Sequence, residues 1–271
     1  MNPELVGINY RDEFLNKGSV TIRDFLTPEN AECLHRFFNA EMPETWWSSS
    51  SFPGVDGGIS YVKNCPENQE AIADDKKRVS ELFSRGQYAY HFHRTVGDHY
   101  EDCTCPECEF RRWLVSAECL DFLEAATGIR HSGYNTMFAS RYVDGCFLSP
   151  HHDENLGSIG FVYQLTKDWR PEWGGLLHFM SDDRATVDRT EVPTFNSLTL
   201  FYLPEGKGKW HYVSHVAPEV KAKRLAYSGW FVKEDTDPID PIDPIDPIDP
   251  IDPIDPIDPI DHIEYSTPPL E

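Results

Sequence analysis

The sequence predicts a mainly β domain with flanking helices, an α+β arrangement whose strands gather in the second half of the chain. Between residues 138 and 232, short β-rich runs such as Ile159-Gly-Phe-Val-Tyr-Gln and Asn196-Ser-Leu-Thr-Leu-Phe are broken by Gly, Pro and Asp, a sandwich or barrel pattern. The first 130 residues read as mostly helical support, with amphipathic spacing of apolar side chains. Beyond Lys233 a proline-based tripeptide repeat excludes both helix and interior strand. The expected organisation is therefore a support region over 1–130, a β core of the same domain over 131–233, and a disordered acidic tail over 234–271. That leaves one domain of roughly 230 residues, within the range of a single sandwich or barrel. A hydrophobic content of 39%, with 7 Trp, 16 Phe and 12 Tyr, is enough for its core.

Taken in order, Ile22 to Leu26 reads as a short strand, and Thr27-Pro28-Glu29 as a helix start. Thr27 is the N-cap, Pro28 sits at the first helical position, and an acid follows in the first turn. That helix spans about 28–41 and shows Ala31, Leu34, Phe37 and Phe38 on one face. Trp46-Trp47 and the four serines after them read either as a loop over a site mouth or as a tryptophan pair packed on a sheet. Two further amphipathic helices are expected over 74–85 and 116–127.

Between the last two lie His99, Cys103, Cys105 and Cys108, four soft ligands of the number and type a structural zinc ion takes. Their spacing fits no zinc-ribbon pattern, and no second Cys-x-x-Cys accompanies them. Reduced thiols in a loop, or redox and disulfide use, are the alternatives. Seven cysteines is an odd number, and disulfides are not expected in a cytosolic chain.

The chemistry is concentrated later. The run Phe147-Leu-Ser-Pro-His151-His152-Asp153 places His151 and Asp153 two apart, so on a strand both project from one face while His152 points away. Sixty-two residues after Asp153 comes His215, in Ser-His-Val-Ala-Pro, and nine after that Arg224. Two histidines and one carboxylate form the facial set that holds non-haem Fe(II) and leaves adjacent coordination positions free. A closed four-ligand zinc site would leave none. The fixed guanidinium of Arg224 is suited to bidentate capture of a carboxylate.

In order along the chain, Gly-x-Phe-Leu-x-x-His-x-Asp, Leu-x-Lys-Asp-Trp, Gly-Gly-x-Leu and Arg-x-x-x-x-Gly-Trp-Phe resemble the 2-oxoglutarate/Fe(II) oxygenases, most closely the prolyl 4-hydroxylase-like branch. The resemblance is strong over about 138–232 and loose before it. It implies a double-stranded β-helix (jelly-roll) core. It implies iron ligation by His151, Asp153 and His215, and 2-oxoglutarate anchoring by Arg224. Tyr142 would line the co-substrate pocket. Gln164 stands where many relatives have a tyrosine that shares the distal carboxylate with the arginine, and its amide can still donate. Trp230 would be a wall residue. The implied reaction uses bound Fe(2+) and consumes 2-oxoglutarate and O2, with ascorbate as an accessory. It decarboxylates 2-oxoglutarate to succinate and hydroxylates an unactivated C–H, a prolyl residue being the favourite. Asp153 argues against halogenation, because related halogenases carry a small residue there to admit chloride.

Charge narrows the partners. The net charge is −22, and residues 1–233 hold 33 acidic against 24 basic side chains, so nucleic acid is not an expected partner. No run of 18 apolar residues and no basic-apolar leader is present, so neither membrane span nor signal peptide is expected, and the expected compartment is the cytoplasm. Starting at Asp237, Asp-Pro-Ile repeats eight times, and in polyproline II it would stack its prolines along one edge. It is either a solvated acidic tail or a substrate-like segment able to occupy the chain's own cleft. Three function classes follow: hydroxylation of a peptide or protein residue, the same chemistry on a free amino acid or small metabolite, and a non-catalytic binding module on the same fold.

Overall fold

Strand periodicity dictates the architecture. In the segment Ile159–Gln164, Ile159, Phe161 and Tyr163 project to one side, and Gly160, Val162 and Gln164 to the other. In Arg224–Lys233, Leu225, Tyr227 and Phe231 go one way, and Arg224, Ala226, Ser228 and Trp230 the other. A sheet built this way must bury both faces. The computed structural model describes residues 1–54, 58–96, 102–153, 155–204 and 209–233, and it shows how this is done. The tail from 234 onward, with its Asp-Pro-Ile repeats, lies outside the described residues, as does His99.

In chain order the elements are α1 (Arg11–Lys17), β1 (Ser19–Arg23), α2 (Pro28–Arg36), β2 (Trp47–Ser51), β3 (Ser60–Lys63), α3 (Gln69–Ser84), β4 (Tyr90–Thr95), α4 (Pro106–Leu114), α5 (Ala117–Thr127), β5 (His131–Tyr142), β6 (Phe147–His151), β7 (Ile159–Gln164), β8 (Leu177–Met180), β9 (Val187–Glu191), β10 (Ser197–Tyr202), β11 (His211–Val213) and β12 (Arg224–Lys233). The strand order is β1-β10-β7-β12-β5-β4-β6-β11-β8-β9, every pair antiparallel, with β2 joined to β4 and β3 to β2. β4 links a larger sheet (β1, β10, β7, β12, β5) to a smaller one (β6, β11, β8, β9), and the two close into a double-stranded β-helix with helices outside. No described helix is long and apolar enough to cross a membrane.

Two apolar cores result. Phe161, Tyr163, Leu200 and Tyr227 meet α1, α2, α4 and α5 through Phe14, Leu34, Phe110 and Leu123 on the outer face of the larger sheet. Inside, between the sheets, lie Phe92, Phe138, Tyr142, Trp169, Phe179, Phe201 and Val213. Fully burying each such side chain contributes about 1.5–3 kcal/mol. The open ends of the barrel are joined by a polar clasp: Arg189 on β9 donates to Ser19 and Thr21 on β1, while Glu191 accepts from Thr21 and Thr199.

The helix starts follow their caps. The Thr27 side chain accepts from the Asn30 N–H with Pro28 at the first position, and Ser116 accepts from the Cys119 N–H. The first helix is shorter than its apolar pattern suggests: regular α geometry ends at Arg36, and a π turn over Phe37–Glu41 still buries Phe37 and Phe38. The support region supplies β1, β2, β3 and β4 to the sheet as well as helices. The reading of Trp46-Trp47 and the serines as a loop over the site is corrected here. Trp47 begins β2 and is buried beneath Arg141, and Ser48 to Ser51 are buried strand residues paired on both sides. Their hydroxyls bond inward, Ser49 with His91 and Ser51 with Asp75, which lets serine fill a central strand.

Candidate iron and co-substrate site

Antiparallel pairing of β6 with β11 sets His211 directly opposite His151. Asp153 follows two residues after the end of β6. Potential ligand atoms of His151, Asp153 and His211 all lie within 4.8 Å of one another. His151 Nε2 stands 3.4 Å from one carboxylate oxygen of Asp153, and His211 Nε2 stands 3.4 Å from the other. The imidazole centroids are 4.2 Å apart. Each ring is held from behind: His151 Nδ1 lies 3.0 Å from the Ser149 carbonyl and His211 Nδ1 2.8 Å from the Lys209 carbonyl. A carbonyl only accepts, so each Nδ1 carries the proton and each Nε2 turns its lone pair toward the shared centre.

This corrects the sequence assignment of His215. The same pairing that brings His211 to His151 brings Val213 to Leu148, so the chain runs toward the other end of β6. Four residues of extended chain cover about 13 Å. His215 accordingly stacks on Phe147 at 3.9 Å between ring centroids, touches Phe83, and is exposed. The signal for His211 was present: Trp210-His211-Tyr212-Val213 is strand-like, whereas His215 is followed by Val216-Ala217-Pro218. His152 points away, its ring against Trp210.

The electrostatics suit a cation. Burial raises the Asp153 pKa, but His211 and His151 outweigh it and hold the carboxyl well below the usual range. The indole N–H of Trp230 closes no hydrogen bond, yet it also favours the ionised carboxylate. Burial works against protonated His151, but Asp153 more than offsets it and the net shift is upward. His211 is pushed down to about 4 by burial and by His151 beside it.

A second polar patch shares the barrel interior. Register places Tyr142 opposite Arg224 and Gln164 opposite Ala226, so Arg224, Tyr142 and Gln164 project from one face of the larger sheet. All three are buried. Arg224 lies 4.8 Å over the Tyr142 ring. Both polar side-chain atoms of Gln164 and the Nε of Arg224 are buried without a hydrogen-bond partner. Burial lowers the Arg224 pKa, and no acidic group described here forms an ion pair with it. Unsatisfied donors clustered around a buried cation fit an anionic ligand with a carboxylate end. Tyr163 is on the opposite face, bonded to Asn196.

Three other polar side chains of the β core, Arg141, His178 and Arg184, lie outside this interior patch. Arg141 is on the outer face, paired with both oxygens of Glu44. His178 stacks on Tyr212, and Arg184 covers Trp210. Sequence reasoning overlooked Arg94. It shares its side of β4 with Tyr90 and Phe92, and its guanidinium lies 3.7 Å over the Phe138 ring. An open groove of about 250 Å³ between α2 and α4 belongs to the outer core, away from the triad.

Comparison with known proteins agrees with this geometry. Residues 137–232 match the family described as the 2OG-Fe(II) oxygenase superfamily. A search of the curated proteins returned no match. Among solved structures, an oxidoreductase of the 2OG-Fe(II) oxygenase family from Burkholderia pseudomallei is 14% identical, with 82% of this chain and 88% of that chain covered at a TM-score of 0.50. A Pseudomonas putida prolyl-4-hydroxylase is 15% identical, with 82% and 96% covered at 0.47. A Trichoplax adhaerens prolyl hydroxylase, solved with a hypoxia inducible factor peptide fragment, is 16% identical, with 82% and 87% covered at 0.42. At 14% identity, the likeness to the Burkholderia pseudomallei structure is one of fold.

Proposed function

We propose that the chain is an Fe(II)- and 2-oxoglutarate-dependent dioxygenase that hydroxylates an unactivated C–H of a prolyl or other residue in a peptide or protein. The observation carrying this reading is the convergence of His151 Nε2, His211 Nε2 and the Asp153 carboxylate, each imidazole locked by a carbonyl behind it. When bound, iron and 2-oxoglutarate together supply the oxidising chemistry, with decarboxylation to succinate. The chain's own residues do the rest. His151, Asp153 and His211 hold the ion on one side. Arg224 takes the distal carboxylate of the co-substrate, with Gln164 donating its amide N–H beside it and Tyr142 forming the wall. His211 and His151 keep the Asp153 carboxylate ionised, with a smaller contribution from Trp230. Asp153 also fills the position a halide would need, which favours hydroxylation.

A second reading, oxidation of a small carboxylate-bearing metabolite, is favoured by Arg94. It lies on the inner face over Phe138, whose ring is 6.0 Å from Trp230, and a substrate carboxylate would complement it. The test is succinate formation by the full chain with Fe(II), 2-oxoglutarate, O2 and ascorbate. One panel holds proline-containing peptides, Asp-Pro-Ile repeats among them, and another holds free amino acids and small carboxylic acids. Peptide-stimulated succinate, with a product one oxygen atom heavier, supports the first reading. Stimulation by the small acids alone, lost in Arg94→Ala, selects the second. No succinate in any arm overturns both.

A further inference from the structure

We infer that Cys103, Cys105 and Cys108 form a thiolate site for one structural zinc ion, separate from the iron site. Their sulfur atoms lie within 4.8 Å of one another, and tetrahedral zinc with 2.3 Å bonds needs sulfurs about 3.8 Å apart. The triangle needs only a small contraction to close on an ion.

The framework around it is built into the start of α4. Cys105 is the N-cap residue of α4 in extended geometry, Pro106 starts the helix, and Cys108 falls one turn later, buried. The Cys105 N–H approaches the Cys103 sulfur at 3.5 Å, the backbone-to-sulfur bond that orients a metal-binding thiolate. Arg112 donates to the Cys103 carbonyl at 2.8 Å and fixes the preceding turn. Behind the cysteines, the wholly buried Glu107 accepts from Thr95 of β4 and from Arg111, while Phe110 and Leu114 fill the outer core. A metal here would fasten the start of α4 to the sheet that carries the oxygenase site. Three thiolates near a helix N-terminus, with Arg112 beside them, bring the charge balance zinc requires.

A divalent ion binds the thiolate form and displaces the protons. The three sulfurs supply three of the four ligands a structural zinc ion takes, and the fourth comes from outside the triangle.

Cobalt(II) substitution of the reduced full chain reads the site directly, because a cobalt–thiolate centre gives an intense near-ultraviolet charge-transfer band and a His/Asp centre does not. The expected result is this band at one equivalent of thiolate-bound cobalt, with competitive loss on adding zinc. It should persist in His211→Ala and disappear in Cys105→Ser. The half-exposed Cys103→Ser provides the same test if the Cys105 variant fails to fold. Absence of the band in the wild-type chain, or its survival in both cysteine variants, overturns the inference.

Discussion

Gln164 is buried, and neither end of its amide is bonded within the protein. Each unsatisfied buried polar group costs roughly 1–3 kcal/mol, so this side chain sacrifices stability for a ligand it has yet to meet. Gln164→Leu should therefore act with opposite signs on two measurements. Thermal unfolding without co-substrate should move up by a few degrees, while the KM for 2-oxoglutarate rises about 5- to 30-fold for one or two lost hydrogen bonds. Arg224→Ala should weaken 2-oxoglutarate more severely, about 100-fold or beyond, because it removes a charge-assisted fork. An unchanged KM in both variants would remove the pair from the co-substrate pocket.

His131 adds a pH dependence at the same scale. Burial pushes its pKa down to about 4, and neither ring nitrogen has a hydrogen-bond partner. The unfolded chain takes up the proton near the ordinary histidine value, so it binds more protons than the folded chain between about 6.5 and 4. Stability is thus full above that window and is lost as pH falls through it. Denaturation midpoints of His131→Leu should fall less steeply from pH 6.5 to 4 than those of the wild-type chain, and parallel curves would contradict the assignment.

Among elements, the turn before β8 governs the approach of the second sheet. Gly174 has φ +69°, and a Cβ there would sit 2.0 Å from the His215 carbonyl oxygen. It also bridges Val216 and offers its carbonyl to the Trp169 indole. Gly174→Ala should destabilise by more than about 2 kcal/mol in chemical denaturation, since it meets backbone strain and a backbone clash together. The Gly-Gly pair was legible in the sequence, as were the starts of α2 and α5, because caps and glycine turns are local chemistry. Strand β2 was not: four serines carry little β propensity, and only the partners of Ser49 and Ser51 explain them. Helix α4 was overlooked because its cysteines drew attention to ligation rather than to the helical spacing of Phe110 and Leu114. His211 was lost to His215 for a related reason. Spacing to Arg224 is a one-dimensional measure, whereas the ligand is chosen by cross-strand register.

For the whole molecule, the barrel closes where β9 meets β1, through Arg189, Glu191, Ser19, Thr21 and Thr199. This clasp joins the edges of both sheets, and the sequence gives no hint of it because its members are 170 residues apart. Glu191→Leu should lower unfolding stability by about 1–3 kcal/mol, leaving the half-buried Arg189 guanidinium and two hydroxyls without their acceptor, and Glu191→Gln by less. A change below 0.5 kcal/mol would mean that the apolar interior alone holds the barrel shut. The interior faces that carry the triad and Arg224 belong to the two sheets so joined, so the same variant should also raise the KM for 2-oxoglutarate.

The assignment of the second histidine bears on all of this. Manganese(II), a hard ion ill suited to thiolates, can be titrated by electron paramagnetic resonance into the wild-type chain, His211→Ala and His215→Ala. The predicted result is one bound ion in the wild type and in His215→Ala, with affinity within about threefold, and at least 100-fold weaker binding in His211→Ala. Retained binding in His211→Ala together with loss in His215→Ala would contradict it.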